Sequence, residues 1–456
     1  MDVVGALREL VSDPERVSDD PSLADEHGRD ISHHAPQLPD AVVFPSSRAE
    51  VEAILRWANE ARVPVIPFGK GTSVEGGVIP VQGGISLDLS RQNEIVEVRP
   101  DDLLARVQPG VTRMQLEERL REEGLFFPVD PGADASIGGM VATNASGTNA
   151  LRYGTMRQNT LGLEVVLAGG TVVKTGGAAP KSSAGYDLTR LFVGSEGTLG
   201  VVTEVLLRLH PLPAFVVAAR AVFRELDAAA RTAVLLVQTG SAVARVELMD
   251  ELTVRAVNAY EQTAYAEGPT LFLEFGGSEP AVHDEVTRAE GLARQGGCTA
   301  FEADSDEAKR KRLWDARHNA ALAIMATAPG KKLMSTDVCV PVSALAQAVH
   351  HARGVAEAAG VTAAILGHVG DGNYHTIFMV DPEDEDEVAL AERINSEIVR
   401  YALERGGTCT GEHGIGLGKL DYLREEHGAA VGVMHAIKRT LDPNGILNPG
   451  KVFEGP

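Results

Sequence analysis

Residues 67–200 hold three glycine-rich stretches, and no other feature of this chain restricts its fold as much. The first is Pro67-Phe-Gly-Lys-Gly-Thr-Ser-Val-Glu-Gly-Gly77. The second runs from Pro131 to Asn149 and is followed by Tyr153-Gly154. The third is Gly194-Ser-Glu-Gly-Thr-Leu-Gly200. Glycine reaches positive φ without steric cost and lets backbone N–H groups converge on an anion. The first loop adds the hydroxyls of Thr72 and Ser73 and suits a diphosphate. It is neither G-x-G-x-x-G nor a Walker sequence, so a dinucleotide fingerprint or P-loop is not indicated. In the second stretch small side chains leave room for something flat or bulky against the backbone. It is too apolar for a disordered linker. Three such clusters in one domain imply a large cofactor wrapped by several loops.

A chain of 456 residues is too long for one ordinary core. The periodicity divides it into residues 1–213, 214–405 and 406–456. Residues 1–45 read as an irregular lead-in with a short helix. Ser47-Arg-Ala-Glu50 has the pattern of a capping box, opening a helix that ends near Ala61. Strand-like runs follow at Val63–Ile66, Ile85–Leu89, Ile95–Val98, Ala105–Val107 and Val201–Leu209. Thr112–Glu123 reads as a capped helix, and Glu164–Lys174 as a hairpin about Gly169-Gly170. This is a mixed α+β domain, ended by Pro211-Leu-Pro213. Beyond it, helical segments (Ala228–Val237, Leu252–Tyr265, Val282–Gln295, Asp386–Glu404) alternate with strands (Val243–Leu248, Leu271–Gly276, Met334–Val340). That alternation predicts an antiparallel sheet backed by helices. The last segment, with a helix at Val431–Leu441, returns to the first domain.

The second domain carries Leu366-Gly-His-Val-Gly-Asp-Gly-Asn-Tyr-His375. Asp371-Gly372 between apolar runs signals a two-residue hairpin turn, which sets His368 opposite His375. Opposed side chains have Cβ atoms roughly 4.5–5.5 Å apart, near enough to hold one metal ion. Glu412, in the glycine-rich run Gly406–Lys419, supplies a third ligand, and the adjacent His413 a base. Two histidines and a carboxylate fit Zn²⁺ or Mn²⁺ and leave positions open for substrate. On the helix around Leu313–Asn319, Arg317 sits among apolar neighbours, and its guanidinium fork is suited to gripping a carboxylate. Cys409 reads as a buried bystander.

A net charge of −22 argues against nucleic acid as a partner. No run approaches the ~18 apolar residues of a membrane span. The acidic, amphipathic N-terminus has neither signal-peptide nor transit character. Three scattered cysteines fit a reducing compartment. The expectation is a cytoplasmic protein, at most peripheral to the inner face of a membrane; a homodimer is compatible with the sequence.

The ordered motifs of residues 67–200 resemble the FAD domain of the vanillyl-alcohol-oxidase type. These are Pro-Phe-Gly-x-Gly-Thr-Ser, Asp-Pro-Gly-Ala, Ile-Gly-Gly, Asn-Ala-Ser-Gly, Tyr-Gly and Gly-Ser-Glu-Gly-Thr-Leu-Gly. The resemblance implies Gly69, Gly71, Thr72 and Ser73 at the diphosphate. It implies Pro131, Gly132, Ile137, Gly138, Gly139, Ser146, Gly147 and Gly154 along the cofactor. Glu196, Gly197 and Val202 follow near its end. Some relatives bind flavin covalently through a histidine of the first loop; this chain has none between Asp40 and His210, so non-covalent FAD is expected.

The C-terminal half resembles FAD-type, cytochrome-linked D-lactate dehydrogenases, the glycolate oxidase FAD subunit and D-2-hydroxyglutarate dehydrogenase. The motifs are Ser-Thr-Asp-Val-Cys-Val-Pro341, Gly-His-Val-Gly-Asp-Gly-Asn-x-His375, Thr-Cys-Thr-Gly-Glu-His-Gly-Ile-Gly-Leu-Gly-Lys419 and Leu-Asp-Pro-x-Gly-Ile-Leu-Asn-Pro-Gly-Lys451. This likeness implies an α+β cap on the FAD domain and a flavin contact from Asn448. The implied reaction is oxidation of a D-2-hydroxy acid, D-lactate favoured over glycolate or D-2-hydroxyglutarate, bound between the two domains. Arg317 would pair with the carboxylate and His413 would take the hydroxyl proton. The metal on His368, His375 and Glu412 would lower the hydroxyl pKa. Hydride would pass from C2 to flavin N5, and electrons onward to a cytochrome, quinone or electron-transfer flavoprotein. Two other classes stay open: a metal hydrolase whose first domain only binds a nucleotide, and a non-catalytic flavoprotein subunit.

Overall fold

The computed structural model describes residues 2–453. The chain forms two compact units. Residues 1–146, 153–212 and 412–456 make the first; residues 147–152 and 213–411 make the second.

The first unit is α+β. Its smaller sheet has four strands, in the order Val17–Ser18, Ala41–Val43, Ile85–Asp88, Val65–Phe68. Ile85–Asp88 pairs in parallel with Ala41–Val43 on one side and Val65–Phe68 on the other, and every residue of Ala41–Val43 and Ile85–Asp88 is buried. The helix Arg48–Ala61 lays Val51, Ile54, Leu55 and Ala58 on this sheet, the spacing of one helical face. Its cap is half of the expected box. Ser47 accepts from the Glu50 N–H, but the Glu50 carboxylate reaches past it to the Ser46 N–H and to Arg16. Arg16 holds the Glu50 carboxyl far below the usual range. The larger sheet is antiparallel, in the order Ile95–Arg99, Leu104–Val107, Val201–Arg208, Thr160–Val166, Val172–Gly176. The helix Arg113–Arg121 carries a complete capping box from Thr112 and Gln115.

The lead-in is more ordered than the sequence suggests. It holds helices Val3–Leu10 and Pro21–His27, and Leu7 is buried in the core beneath helix Arg48–Ala61.

The second unit is built on an eight-stranded antiparallel sheet. Its order is Ala300–Asp304, Phe215–Val222, Thr270–Gly277, Val243–Met249, Ala364–Gly367, Asn373–Val380, Lys332–Ser335, with Val338–Cys339 also paired to Asn373–Val380. Phe215–Val222 is a strand the sequence reading passed over. It pairs on both edges, with Thr270–Gly277 and Ala300–Asp304. The expected strand Met334–Val340 is broken at Thr336-Asp337, where Asp337 turns to other partners. The helix expected to run to Tyr265 ends at Glu261, because Gln262 takes a left-handed conformation with φ +53°.

The hairpin register differs from expectation. Leu366, not His368, pairs with His375, and the strands end at Gly367 and begin again at Asn373. Residues 368–372 form a five-residue loop instead of an Asp-Gly turn. The physical reason is burial: Val369 is fully buried, and the Gly370 N–H donates to Val246 O at 3.1 Å, so the loop packs inward.

Candidate functional site

In the first unit the three glycine-rich stretches come together. A Cβ placed on Gly69 would lie 2.3 Å from Ser136 Oγ, so the first loop rests on the second. A Cβ on Gly197 would lie 2.9 Å from Pro67. The Gly194 and Glu196 N–H groups donate to Val141 O (2.9 Å) and Ala142 O (2.8 Å), which ties the third stretch to the second. Asn448 Nδ2 donates to Gly77 O (3.0 Å) and Glu196 O (2.8 Å), clasping the first stretch to the third.

Gly71, Gly132, Gly154 and Gly197 all have positive φ. Ser136 caps the helix Ile137–Thr143, whose first turn holds Gly138 and Gly139. Ser146 is buried, Val202 lies in the strand Val201–Arg208, and Gly147 is grouped with the second unit. Among the described residues no acceptor is recorded for the N–H groups of Gly71, Thr72 and Ser73. A cradle of converging loops with donors facing no protein acceptor fits the diphosphate of FAD.

Two buried acids, Glu196 and Glu75, hold the returning C-terminal segment. Glu196 accepts from the Ile415 and Gly416 N–H groups at 2.7 and 2.8 Å. Burial outweighs those donors and pushes its carboxyl up. Glu75 takes Lys419 Nζ at 2.6 Å, and His413 Nδ1 lies 3.8 Å away. Burial alone would raise Glu75; Lys419 and His413 bring it below its ordinary value.

In the second unit, the strand Val243–Met249 alternates its faces, so Arg245, Glu247 and Met249 share one. That face meets the helix Glu307–His318, and Arg245 lies over the Trp314 ring at 4.7 Å. Leu248 pairs with Gly367 and Met249 with Leu366; continuing the register by one pair sets His368 opposite Glu247. His368 Nδ1 lies 2.8 Å from Glu247 Oε2, and Arg317 Nη2 lies 2.6 Å from the same oxygen. Glu247 is 1% exposed and Arg317 6%. Burial alone would raise the Glu247 carboxyl, but His368 and Arg317 hold it below its ordinary value.

A carboxylate only accepts, so His368 donates to Glu247 from Nδ1, and Nε2 is the ring nitrogen that would turn to a metal. His375 is set the same way, with Nδ1 3.2 Å from Thr336 O. The two rings stand 5.8 Å apart by centroid despite the shifted register. Asp337 accepts from Asn373 Nδ2 on Oδ1 (2.9 Å) and from Thr410 Oγ1 on Oδ2 (2.8 Å). The Gly411 N–H donates to Asp337 O at 2.9 Å, and Glu412 is the next residue. Among the described residues, Asp337, His375, Glu412 and His413 form a group that could hold a metal ion. The predicted ligand His368 is not in that group; its ring stands beside that of His375 and its Nδ1 is held by Glu247. Imidazole and carboxylate donors together fit a divalent ion.

Comparison with known proteins agrees with this geometry. Residues 39–176 match the FAD binding domain family, and residues 212–452 match the family of FAD linked oxidases, C-terminal domain. The chain belongs to the FAD-linked oxidases. It is 47% identical over 456 residues to a probable mitochondrial D-lactate dehydrogenase of Danio rerio, covering 99% of this chain and 92% of that one. It is 44% identical to a mitochondrial D-lactate dehydrogenase [cytochrome] of Arabidopsis thaliana (98% and 80%). It is 36% identical to glycolate oxidase subunit GlcD of Bacillus subtilis (97% and 95%). Among solved structures, p-cresol methylhydroxylase with substrate bound superposes with a TM-score of 0.83 at 18% identity, over 99% of this chain and 96% of that one. That likeness shows the fold, a flavoprotein domain of the vanillyl-alcohol-oxidase type with an antiparallel-sheet domain. The chain is thus an FAD-linked oxidoreductase. No helix among the described residues is long and apolar enough to cross a membrane.

Proposed function

We propose that this chain is an FAD- and metal-dependent dehydrogenase that oxidises a D-2-hydroxy acid, D-lactate in the first instance, to the 2-oxo acid. The observation that carries the substrate class is the 47% identity, over 99% of the chain, to a protein named as a probable D-lactate dehydrogenase. When bound, non-covalently, FAD supplies a two-electron acceptor for the hydride on C2. A divalent metal, Zn or Mn, would supply a Lewis acid that lowers the pKa of the substrate hydroxyl.

The chain's own residues do the rest. Gly69, Gly71, Thr72 and Ser73 receive the diphosphate, and the stretches around Gly132, Gly138, Gly154 and Gly197 line the cofactor. His368, His375 and Glu412 would hold the metal. Asp337, grouped with His375, Glu412 and His413, accepts from Asn373 and Thr410 and lends its charge to the same site. Arg317 binds the substrate carboxylate through its planar fork. His413 accepts the hydroxyl proton. Electrons then leave for an external acceptor of the cytochrome, quinone or electron-transfer flavoprotein kind. The likeness to a glycolate oxidase subunit favours glycolate as the second reading.

The test is anaerobic mixing of the purified protein with D- and L-lactate, glycolate and D-2-hydroxyglutarate, with metal content measured on the same sample. Bleaching of the flavin by D-lactate, faster than by the others, is the expected result. A protein that none of these acids reduces would overturn the assignment.

A further inference from the structure

Glu247 is absorbed by neither the cofactor site nor the proposed ligand set, yet it is among the most buried charges of the second unit. It receives two groups that arrive from different elements. His368 comes from the loop after strand Ala364–Gly367, and Arg317 from the last turn of helix Glu307–His318. Both reach a single carboxylate oxygen, at 2.8 and 2.6 Å.

We propose that Glu247 is a positioning residue that sets His368 as a metal ligand and Arg317 as a substrate clamp at the same time. The inference rests on the roles given to those two residues above. Its logic for His368 is tautomeric. Held on Nδ1 by a buried carboxylate, the ring presents Nε2 and cannot rotate; such outer partners tune metal affinity in many sites. For Arg317 the logic is geometric. A guanidinium has five donors in a rigid fork. Binding Nη2 to Glu247 fixes the plane of the fork, and Nη1 and Nε remain to engage a ligand. Glu247 therefore links metal retention to substrate affinity without touching either.

The sheet explains why this residue can do so. Glu247 lies on a central strand, paired on both edges. Its neighbours Val246 and Leu248 point into the opposite layer and are 1% and 0% exposed. The backbone under the carboxylate is held from both sides.

The test uses the full-length flavoprotein with two variants, Glu247→Gln and Glu247→Asp. The readouts are the zinc dissociation constant by chelator competition, the KM and kcat for D-lactate, and the FAD content. For Glu247→Gln the expectation is metal binding weakened about 10–100-fold and a KM raised by about tenfold or more, with FAD content unchanged. Glu247→Asp should fall between Gln and wild type. Wild-type metal affinity and KM in folded Glu247→Gln would overturn the inference. If that variant does not fold, Glu247→Asp decides alone: weakened metal binding with full FAD supports the role, and wild-type values for both quantities overturn it. Failure of the underlying reading looks different, since wild-type protein would then bind no stoichiometric metal.

Discussion

At the scale of single residues, the proposed chemistry separates two histidine- and arginine-dependent steps. His413→Ala should slow flavin reduction by D-lactate about 10²–10⁴-fold, the usual worth of a general base, and leave substrate affinity nearly intact. Arg317→Ala should instead raise KM about 10–100-fold, since a charge-assisted hydrogen bond is worth about 1.5–3 kcal/mol. Stopped-flow reduction traces across substrate concentration distinguish the two. Normal reduction in His413→Ala removes that residue from the base role. The glycine stretches, the two histidines and Arg317 were visible in the sequence because unusual residue types stood in unusual surroundings. Glu247 was not. It sits in Val-Glu-Leu, an ordinary alternating strand, and its meaning depends on which strand lies beside it. Glu75 was opaque for the same reason, and so was the hold of Glu196, implied at the cofactor, on the C-terminal segment. One looked like a loop acid and the other like part of a glycine motif, while both serve residues more than 200 positions away.

At the scale of elements, local rules succeeded where partners are near in sequence. Thr112 and Gln115 close the helix start as the pattern requires. Thr112→Ala should therefore cost about 1 kcal/mol of stability, measurable as a lower denaturation midpoint. Glu50 shows the limit of the same rule. Its spacing from Ser47 is right, but Arg16 competes for the carboxylate and wins with a charged, bidentate contact. The histidine hairpin failed for a related reason. Asp-Gly is a strong turn signal for an exposed hairpin. Here the loop is buried against a neighbouring strand, and the packing of Val369 overrides it. The two rings still meet, because a five-residue loop brings His368 back alongside His375.

At the scale of the molecule, acid should act through residues of the lead-in as well as the site. Burial, with His34 adding to it, lowers His33 to about 4. Its folded pKa lies below the ordinary value of about 6.5, so the unfolded chain binds the extra proton between those limits. Stability must then rise with pH from about 4 to 6.5, by at most about 3.5 kcal/mol from this group at about 1.4 kcal/mol per unit. Thermal unfolding of His33→Asn should show a flatter dependence in that window. A slope unchanged from wild type would assign the acid sensitivity elsewhere.

The division of the chain has a consequence for how the protein is made. The first unit is closed by its last residues: Val65 donates to Ile446 O at 2.7 Å, Asn448 clasps Gly77, and Lys451 Nζ reaches Ile79 O. All of these arrive only after residues 213–411 have been synthesised. At about 5–20 residues per second, roughly 200 residues take some 10–40 s. For that interval the glycine cradle exists without its clasp. Nascent chains ending at Gly411 should not retain flavin, whereas the complete chain should. On this expectation FAD loading waits for residues 446–451, which carry all three contacts.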